Sequence, residues 1–147
     1  MIDISIIIVH HRTPALLKLC LDSIKRTTGD LSVETIVVDS MANREGRDLM
    51  RERYPEVHYL PFEDNLGYAK GVNRGAAAAT GKYLVFLNPD IILTAGAVTV
   101  LRDYLATHSD VGIVGPRLLN FDGSRQPSYF RFYKLTTILL RRTGFGR

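Results

Sequence analysis

The sequence predicts an α/β fold with a mainly parallel central sheet flanked by helices. Two patterns carry this expectation. One is a continuous β-branched run at Ile4 to Val9, of the kind found in strands covered on both faces; the other is a strand-then-helix unit that occurs four times in succession. At 147 residues with 46% apolar content, the chain suits one domain that can bury a real core.

Ile4 to Val9 is expected at the centre of the sheet. Thr13 can cap a helix that has Pro14 at its first position, and Leu16, Leu17, Cys20, Leu21 and Ile24 then fall on one face. The next unit is a strand at Val33 to Val38 and a helix near Glu45 to Arg53. A strand at Val57 to Leu60 follows, with a helix from Leu66 that Asn65 caps and Gly81 ends. Tyr83 to Leu87 is the fourth strand. Its helix is capped by Thr94 and runs to about His108, with Ala97, Val98, Leu101 and Leu105 inward. After Val111 to Val114 the pattern changes: Gly115-Pro116 and Asp122-Gly123-Ser124 are turn signals, so Arg117 to Asn120 and the residues after Ser124 should form a hairpin or excursion. Lys134 to Arg142 reads as a short helix. The expected division is a βα core over 1–116 and a basic excursion over 117–147.

Charge is unevenly spread over these parts. Met1 to Pro116 carries 12 Lys/Arg against 14 Asp/Glu, whereas Arg117 to Arg147 carries 7 against 1. The tail has no recognised nucleic-acid motif, so no nucleic-acid partner is expected. Its basic and aromatic residues over 130–147 suit an anionic membrane surface, or a segment left exposed for a partner half of the protein. An uncovered apolar face would also promote self-association. Ile4 to Val9 is too short for a signal peptide or a membrane span, and Cys20 has no second cysteine to pair with. A cytoplasmic protein, peripheral at most to the inner face of the membrane, is expected.

The residues with chemistry stand at strand ends, where open parallel sheets bind ligands. Asp39 closes one apolar strand, and a carboxylate there can accept a hydrogen bond from the ring N–H of uracil or thymine. It can equally cap a turn or the following helix. Asn88-Pro89-Asp90 closes another strand. Pro89 stiffens the exit and directs Asp90, a hard oxygen ligand suited to Mg²⁺ or Mn²⁺ with diphosphate oxygens and water completing the shell; a tight turn is the plainer alternative. Asn65, Lys70 and Asn73 lie at the start of a helix, where backbone N–H groups favour anions, and Gly67, Gly71 and Gly75 form a smooth stripe. His10, His11 and Arg12 share the same rim, and one of the imidazoles can stack on a base. Adjacent residues on an extended chain point apart, which argues against zinc. His58 and His108 read as surface residues, and no Gly-x-Gly-x-x-Gly follows a strand, which disfavours a dehydrogenase.

In order, ISIIIVHHRT, ETIVVDS, NLGYAKGVNRG, GKYLVFLNPDI and DVGIVGPRLLNFDGSRQPS resemble the family-2 inverting glycosyltransferases, in particular their rhamnosyltransferase-like branch. The resemblance implies a Rossmann-like nucleotide-diphospho-sugar transferase fold of the GT-A type. By position it implies that Val9 contacts the base through its backbone, His11 occupies a base-stacking position beside His10, and Asp39 with Ser40 reads the pyrimidine. It places Asn65, Gly67, Lys70 and Asn73 along the ribose and diphosphate, Asn88 in an Asp-x-Asp-like motif, and Asp90 on the metal. The implied donor is a UDP- or dTDP-sugar, and the implied acceptor a saccharide or a lipid-linked one.

Several positions depart from that family. HHR replaces the usual Asn-Tyr-Asn, Ser40 replaces Asn or Asp, and 41–44 lacks a Ser/Thr-Asp-Gly pattern. There is no Trp, and no Asp or Glu follows Asp122, so the general base is expected beyond Arg147 in an acceptor-binding half. A sugar-1-phosphate nucleotidyltransferase or a non-catalytic nucleotide-binding module are the alternatives; the former resembles a family with a Gly-rich, Arg-containing loop that His10 to Thr13 does not match.

Overall fold

The β-branched run of the first segment folds as β1 (Ile4–His10), and in the computed structural model it lies between β2 (Val33–Ser40) and β4 (Tyr83–Leu87), with β3 (His58–Phe62) beyond β2. The structure describes residues 2–29 and 31–128. All four strands are parallel. Ile4, Ile6 and Ile8 are completely buried and Ile7 nearly so, which is why this strand takes the centre.

Paired residues in a parallel ladder share a face, and this sorts the side chains into two layers. On one face, Ile4, Ile6 and Ile8 join Val37 and meet Leu17, Cys20, Leu21 and Ile24 of α1 (Pro14–Thr27), Met50 of α2 (Arg44–Arg53) and Val98 of α4 (Ala97–Thr107). On the other, α3 (Gly67–Ala78) lies against β1 and β2. A Cβ on Gly75 would meet Ile7 Cγ2 and would stand 3.3 Å from Val38 Cγ2, so the expected small-residue stripe is a close-packing surface. Beside α3, Leu84 and Phe86 of β4 remain nearly half exposed.

Four expectations for the elements need correction. Leu16 is exposed rather than inward, because its side chain lies at the margin of the α1 stripe. Residue 66, not Asn65, holds the cap position of α3, although Asn65 Oδ1 accepts the Gly67 N–H at 3.0 Å. Gly81 does not end α3, which stops at Ala78; glycine is required there because a Cβ would come within 2.8 Å of the Ile4 and Ser5 backbone. Thr94 does not cap α4, since Gly96 with φ 75° occupies that position. Thr94 supplies only a turn carbonyl, to the Ala97 N–H at 3.2 Å.

Contacts divide the chain at Val114/Gly115. The described part of the second unit contains the expected hairpin: β5 (Leu118–Leu119) pairs antiparallel with β6 (Arg125–Gln126) around a turn in which Asp122 Oδ1 accepts from Ser124 N–H at 2.9 Å. The expected helix at 134–142 and the membrane-contact segment at 130–147 lie outside the described residues. Among the described residues no helix is long and apolar enough to cross a membrane.

At the amino ends of the strands a single carboxylate oxygen clasps the turn between α3 and β4. Glu34 Oε1 accepts from Ser5 Oγ at 2.6 Å, from Thr80 N–H at 2.6 Å and Oγ1 at 2.9 Å, and from Gly81 N–H at 3.2 Å. Burial raises the Glu34 carboxyl, but these donors outweigh it and hold it below the ordinary value. Glu34→Gln is expected to cost about 1–3 kcal/mol in urea unfolding near neutrality. Because the folded group titrates below the unfolded one, the difference from wild type should be complete above the unfolded value of 4.5 and shrink as pH falls below it. Gly75→Ala gains about 1 kcal/mol of helix propensity but overpacks Ile7. A net loss of about 1–2 kcal/mol is expected in the same measurement.

Candidate functional site

Along the core face, β1 and β2 end their apolar runs in polar residues, and β3 contributes a tyrosine near its start. His10 pairs with Asp39 in the ladder, and Tyr59 pairs with Val37, two residues before Asp39 on the same face. This register brings the three side chains into one row. Tyr59 Oη donates to Asp39 Oδ2 at 2.5 Å, and His10 Nδ1 lies 2.7 Å from Asp39 Oδ1. The other His10 nitrogen, Nε2, accepts the backbone N–H of Thr13 at 3.0 Å. That bond assigns the proton to Nδ1, so a neutral imidazole donates to Asp39.

Asp39 is only 3% exposed, and a carboxylate so buried needs donors on both oxygens. The row supplies them. Burial, with the hydrogen bond to Asp39 and its charge adding, pushes the Tyr59 hydroxyl well above its ordinary value, so it stays a donor.

Above this row opens a cleft of about 630 Å³ between the start of α1 and α2, with His10, Arg12, Asp39, Met41, Asn43 and Gly46 in its wall. Gly46 keeps the carboxylate accessible from this side, since a Cβ there would stand 3.4 Å from Asp39 Oδ2. Arg12 and Met41, in the loops that follow β1 and β2, have φ of 54° and 60°. Left-handed backbone is costly for residues other than Gly, Asn and Asp, and such strain gathers at binding sites. Asn43, not Asp39, caps α2, its Oδ1 accepting the Gly46 N–H at 2.7 Å. Glu45, Asp48 and Glu52 add acidic character to the cleft beside Arg12 and Arg44.

The remaining predicted residues occupy the same end of the sheet. Val9 and Ser40 point to the α3 face, where Val9 Cγ1 and Cγ2 define the space at Gly71 and Ser40 Oγ accepts the Leu66 N–H at 3.2 Å. Asn65, Gly67, Lys70 and Asn73 line the exposed start of α3, and neither the Lys70 nor the Asn73 side chain makes a hydrogen bond or ion pair among the described residues. His11 is exposed, whereas His10 is buried with both nitrogens engaged inside the protein. Of the two, only His11 retains a free ring.

Asn88 follows β4, and the ladder partner Ile8 to Leu87 places it beside Val9. Two strand spacings, about 10 Å, separate the end of β4 from the end of β2. The Asn88 carbonyl accepts the Ile91 N–H at 3.2 Å, so the turn alternative for Asn88-Pro89-Asp90 is realised in the backbone while the Asp90 side chain stays exposed. It makes no hydrogen bond or ion pair among the described residues. Beneath it, burial raises the Cys20 thiol to about 12, with the Asp90 charge adding, which leaves Cys20 an inert core residue.

Among the described residues no group of three or more His, Cys, Asp or Glu could hold a metal. A free, exposed carboxylate at a strand end nevertheless fits a hard divalent ion that takes its other ligands from a diphosphate and water.

Tyr59 was not foreseen from sequence. Its signal lies in the strand register, which pairs it with Val37 and so aims it at Asp39. Nor does any local feature of Arg12 or Met41 announce positive φ.

A model of the family described as glycosyl transferase family 2 matches residues 5–146. The chain is 32% identical over 88 residues to the N-acetylglucosaminyl-diphospho-decaprenol L-rhamnosyltransferase of Mycobacterium tuberculosis, a match covering 52% of this chain and 29% of that protein. It thus spans less than a third of the length of the curated relatives it matches. Among solved structures, Staphylococcus aureus TarS 1-349 superposes with a TM-score of 0.64 at 17% identity, over 74% of this chain and 33% of that one. The mannosyltransferase PcManGT of Pyrobaculum calidifontis, in complex with GDP-Man and Mn²⁺, gives 0.60 at 22% identity, over 70% of this chain and 32% of that one. The parallel sheet flanked by helices is therefore the GT-A fold.

Proposed function

The chain belongs to glycosyl transferase family 2, and on that premise we propose that it forms the donor-binding part of an inverting glycosyltransferase. The donor is a UDP- or dTDP-sugar, with rhamnose a candidate sugar, and the acceptor is a saccharide or a lipid-linked one. The observation that carries this reading is the cleft beside Asp39, set at the same sheet end as the free Asp90 carboxylate. The base would enter the cleft over Asp39, whose oxygens can only accept, and meet His11 at the rim. The diphosphate would run toward β4 past Asn65, Lys70 and Asn73, where the start of α3 favours negative charge. Mg²⁺ or Mn²⁺ held by Asp90, when bound, would offset the charge gathered by the departing nucleoside diphosphate.

Support for the sugar-nucleotide class comes from the TarS 1-349 structure solved in complex with UDP-GlcNAc, and support for a lipid-linked acceptor from the relative named N-acetylglucosaminyl-diphospho-decaprenol L-rhamnosyltransferase. In an inverting transfer the acceptor hydroxyl must lose its proton as it attacks the anomeric carbon. We assign that base to no described residue, and the chain by itself is expected to bind donor and transfer little.

Calorimetry with UDP and dTDP tests this. Mn²⁺ is expected to tighten binding by about tenfold or more, ~1.4 kcal/mol, and Asp90→Asn should lose most of that gain while retaining metal-free binding. Affinity that ignores both the metal and the Asn substitution would remove Asp90 from the proposal. Failure of both nucleotides to bind under any condition would remove the donor site itself.

A further inference from the structure

We propose that Tyr59 and His10 are positioning residues that hold Asp39 as an acceptor-only carboxylate and thereby set which nucleobase the cleft takes. The inference rests on the donor-binding reading above, and it concerns residues that act through Asp39: Tyr59, outside the cleft lining, and His10, in the cleft wall with both ring nitrogens already engaged within the protein.

The argument starts from lone pairs. An ionised carboxylate has about four acceptor positions, two on each oxygen. Tyr59 Oη occupies one on Oδ2 and His10 Nδ1 one on Oδ1, at 2.5 and 2.7 Å. One position on each oxygen remains, and Gly46 leaves the Oδ2 side open toward the cleft. Neither donor can easily reverse its role. Tyr59 is a phenol whose only proton points at Asp39, and His10 is committed to the Nδ1–H form because Nε2 accepts from Thr13 N–H at 3.0 Å. Two donors fixed in this way take one lone pair on each oxygen and orient the remaining ones.

The chemical consequence is selectivity. An acceptor-only group matches the ring N–H of uracil or thymine, whereas cytosine presents a bare ring nitrogen at the same position and would face it lone pair to lone pair. Without Tyr59 Oη or His10 Nδ1–H, the carboxylate turns more freely and its open lone pairs lose their fixed direction toward the cleft. Its preference for an N–H edge should then fall without any change in the residues that touch the diphosphate.

The test titrates UDP, dTDP and CDP in the presence of Mn²⁺ into the 147-residue chain and into its Tyr59→Phe, His10→Asn and His10→Ala variants. Wild type should prefer UDP or dTDP to CDP. Tyr59→Phe keeps the ring and should lower that preference by about tenfold, the scale of one hydrogen bond to a charged group. His10→Ala should lower it similarly, and His10→Asn should restore most of it, because the side-chain amide can donate where Nδ1–H did. A role confined to stability would weaken all three nucleotides alike and leave the ratio unchanged. If His10→Ala does not fold, the Tyr59→Phe ratio decides alone. An unchanged ratio in Tyr59→Phe, or a wild type that binds UDP and CDP equally, overturns the inference and leaves the donor site standing. A wild type that binds none of the three overturns the donor-binding reading, and this inference with it.

Discussion

The burial of β1 on both faces is the constraint from which the rest of the molecule follows. A strand with Ile4, Ile6, Ile7 and Ile8 all removed from water cannot lie at an edge or beneath a single layer. It needs a strand on each side, helices on one face and a helix on the other. β2 and β4 supply the flanks, α1, α2 and α4 one cover, and α3 the other. Parallel pairing then brings the carboxyl ends of four strands to one rim. Chemistry can gather there because every strand leaves the core at the same level.

Much of this was legible in the sequence because the elements concerned are set by local pattern. The β-branched run at β1 and the Leu17, Cys20, Leu21 and Ile24 stripe of α1 announce their own burial. The strand-end positions of Asp39 and Asp90 follow from where the apolar runs stop. What was misread depends on partners distant in sequence. Gly81 looks like a helix stop, but it is glycine because the Ile4 and Ser5 backbone passes within 2.8 Å of where its Cβ would be. Thr94 looks like a cap because Ser and Thr commonly are, yet a glycine two residues later takes the left-handed conformation and the role. Leu16 satisfies the helical stripe and lies just off the part of it that the sheet can cover. Tyr59 belongs to the same class, since only the pairing of β2 with β3 reveals its target.

At the rim, the polar row on the core face also shows how a buried charge is kept. Continuing the apolar faces of β1 and β2 by one further stride of two residues reaches His10 and Asp39. Tyr59 meets them from β3 with its ring still packed against the core cluster. The desolvation cost of Asp39 is thus met by groups that the sheet itself aligns. Neither donor depends on a flexible loop, although His10 passes the constraint outward by accepting the Thr13 N–H at the start of α1.

Glu34, at the opposite end of the sheet, has a different arrangement and shows why Asp39 reads as a site rather than a brace. Four donors converge on one oxygen of Glu34, and three of them come from Thr80 and Gly81, in the turn it secures. Its hydrogen bonds are spent on chain reversal. Asp39 receives one donor on each oxygen, both from side chains on neighbouring strands, and secures no turn of its own, since Asn43 caps α2. Its unused acceptor capacity faces a cleft bounded by two left-handed loop residues. A carboxylate held by one donor on each oxygen and left partly unsatisfied toward an open cleft has the form required to read a hydrogen-bond donor brought by a ligand.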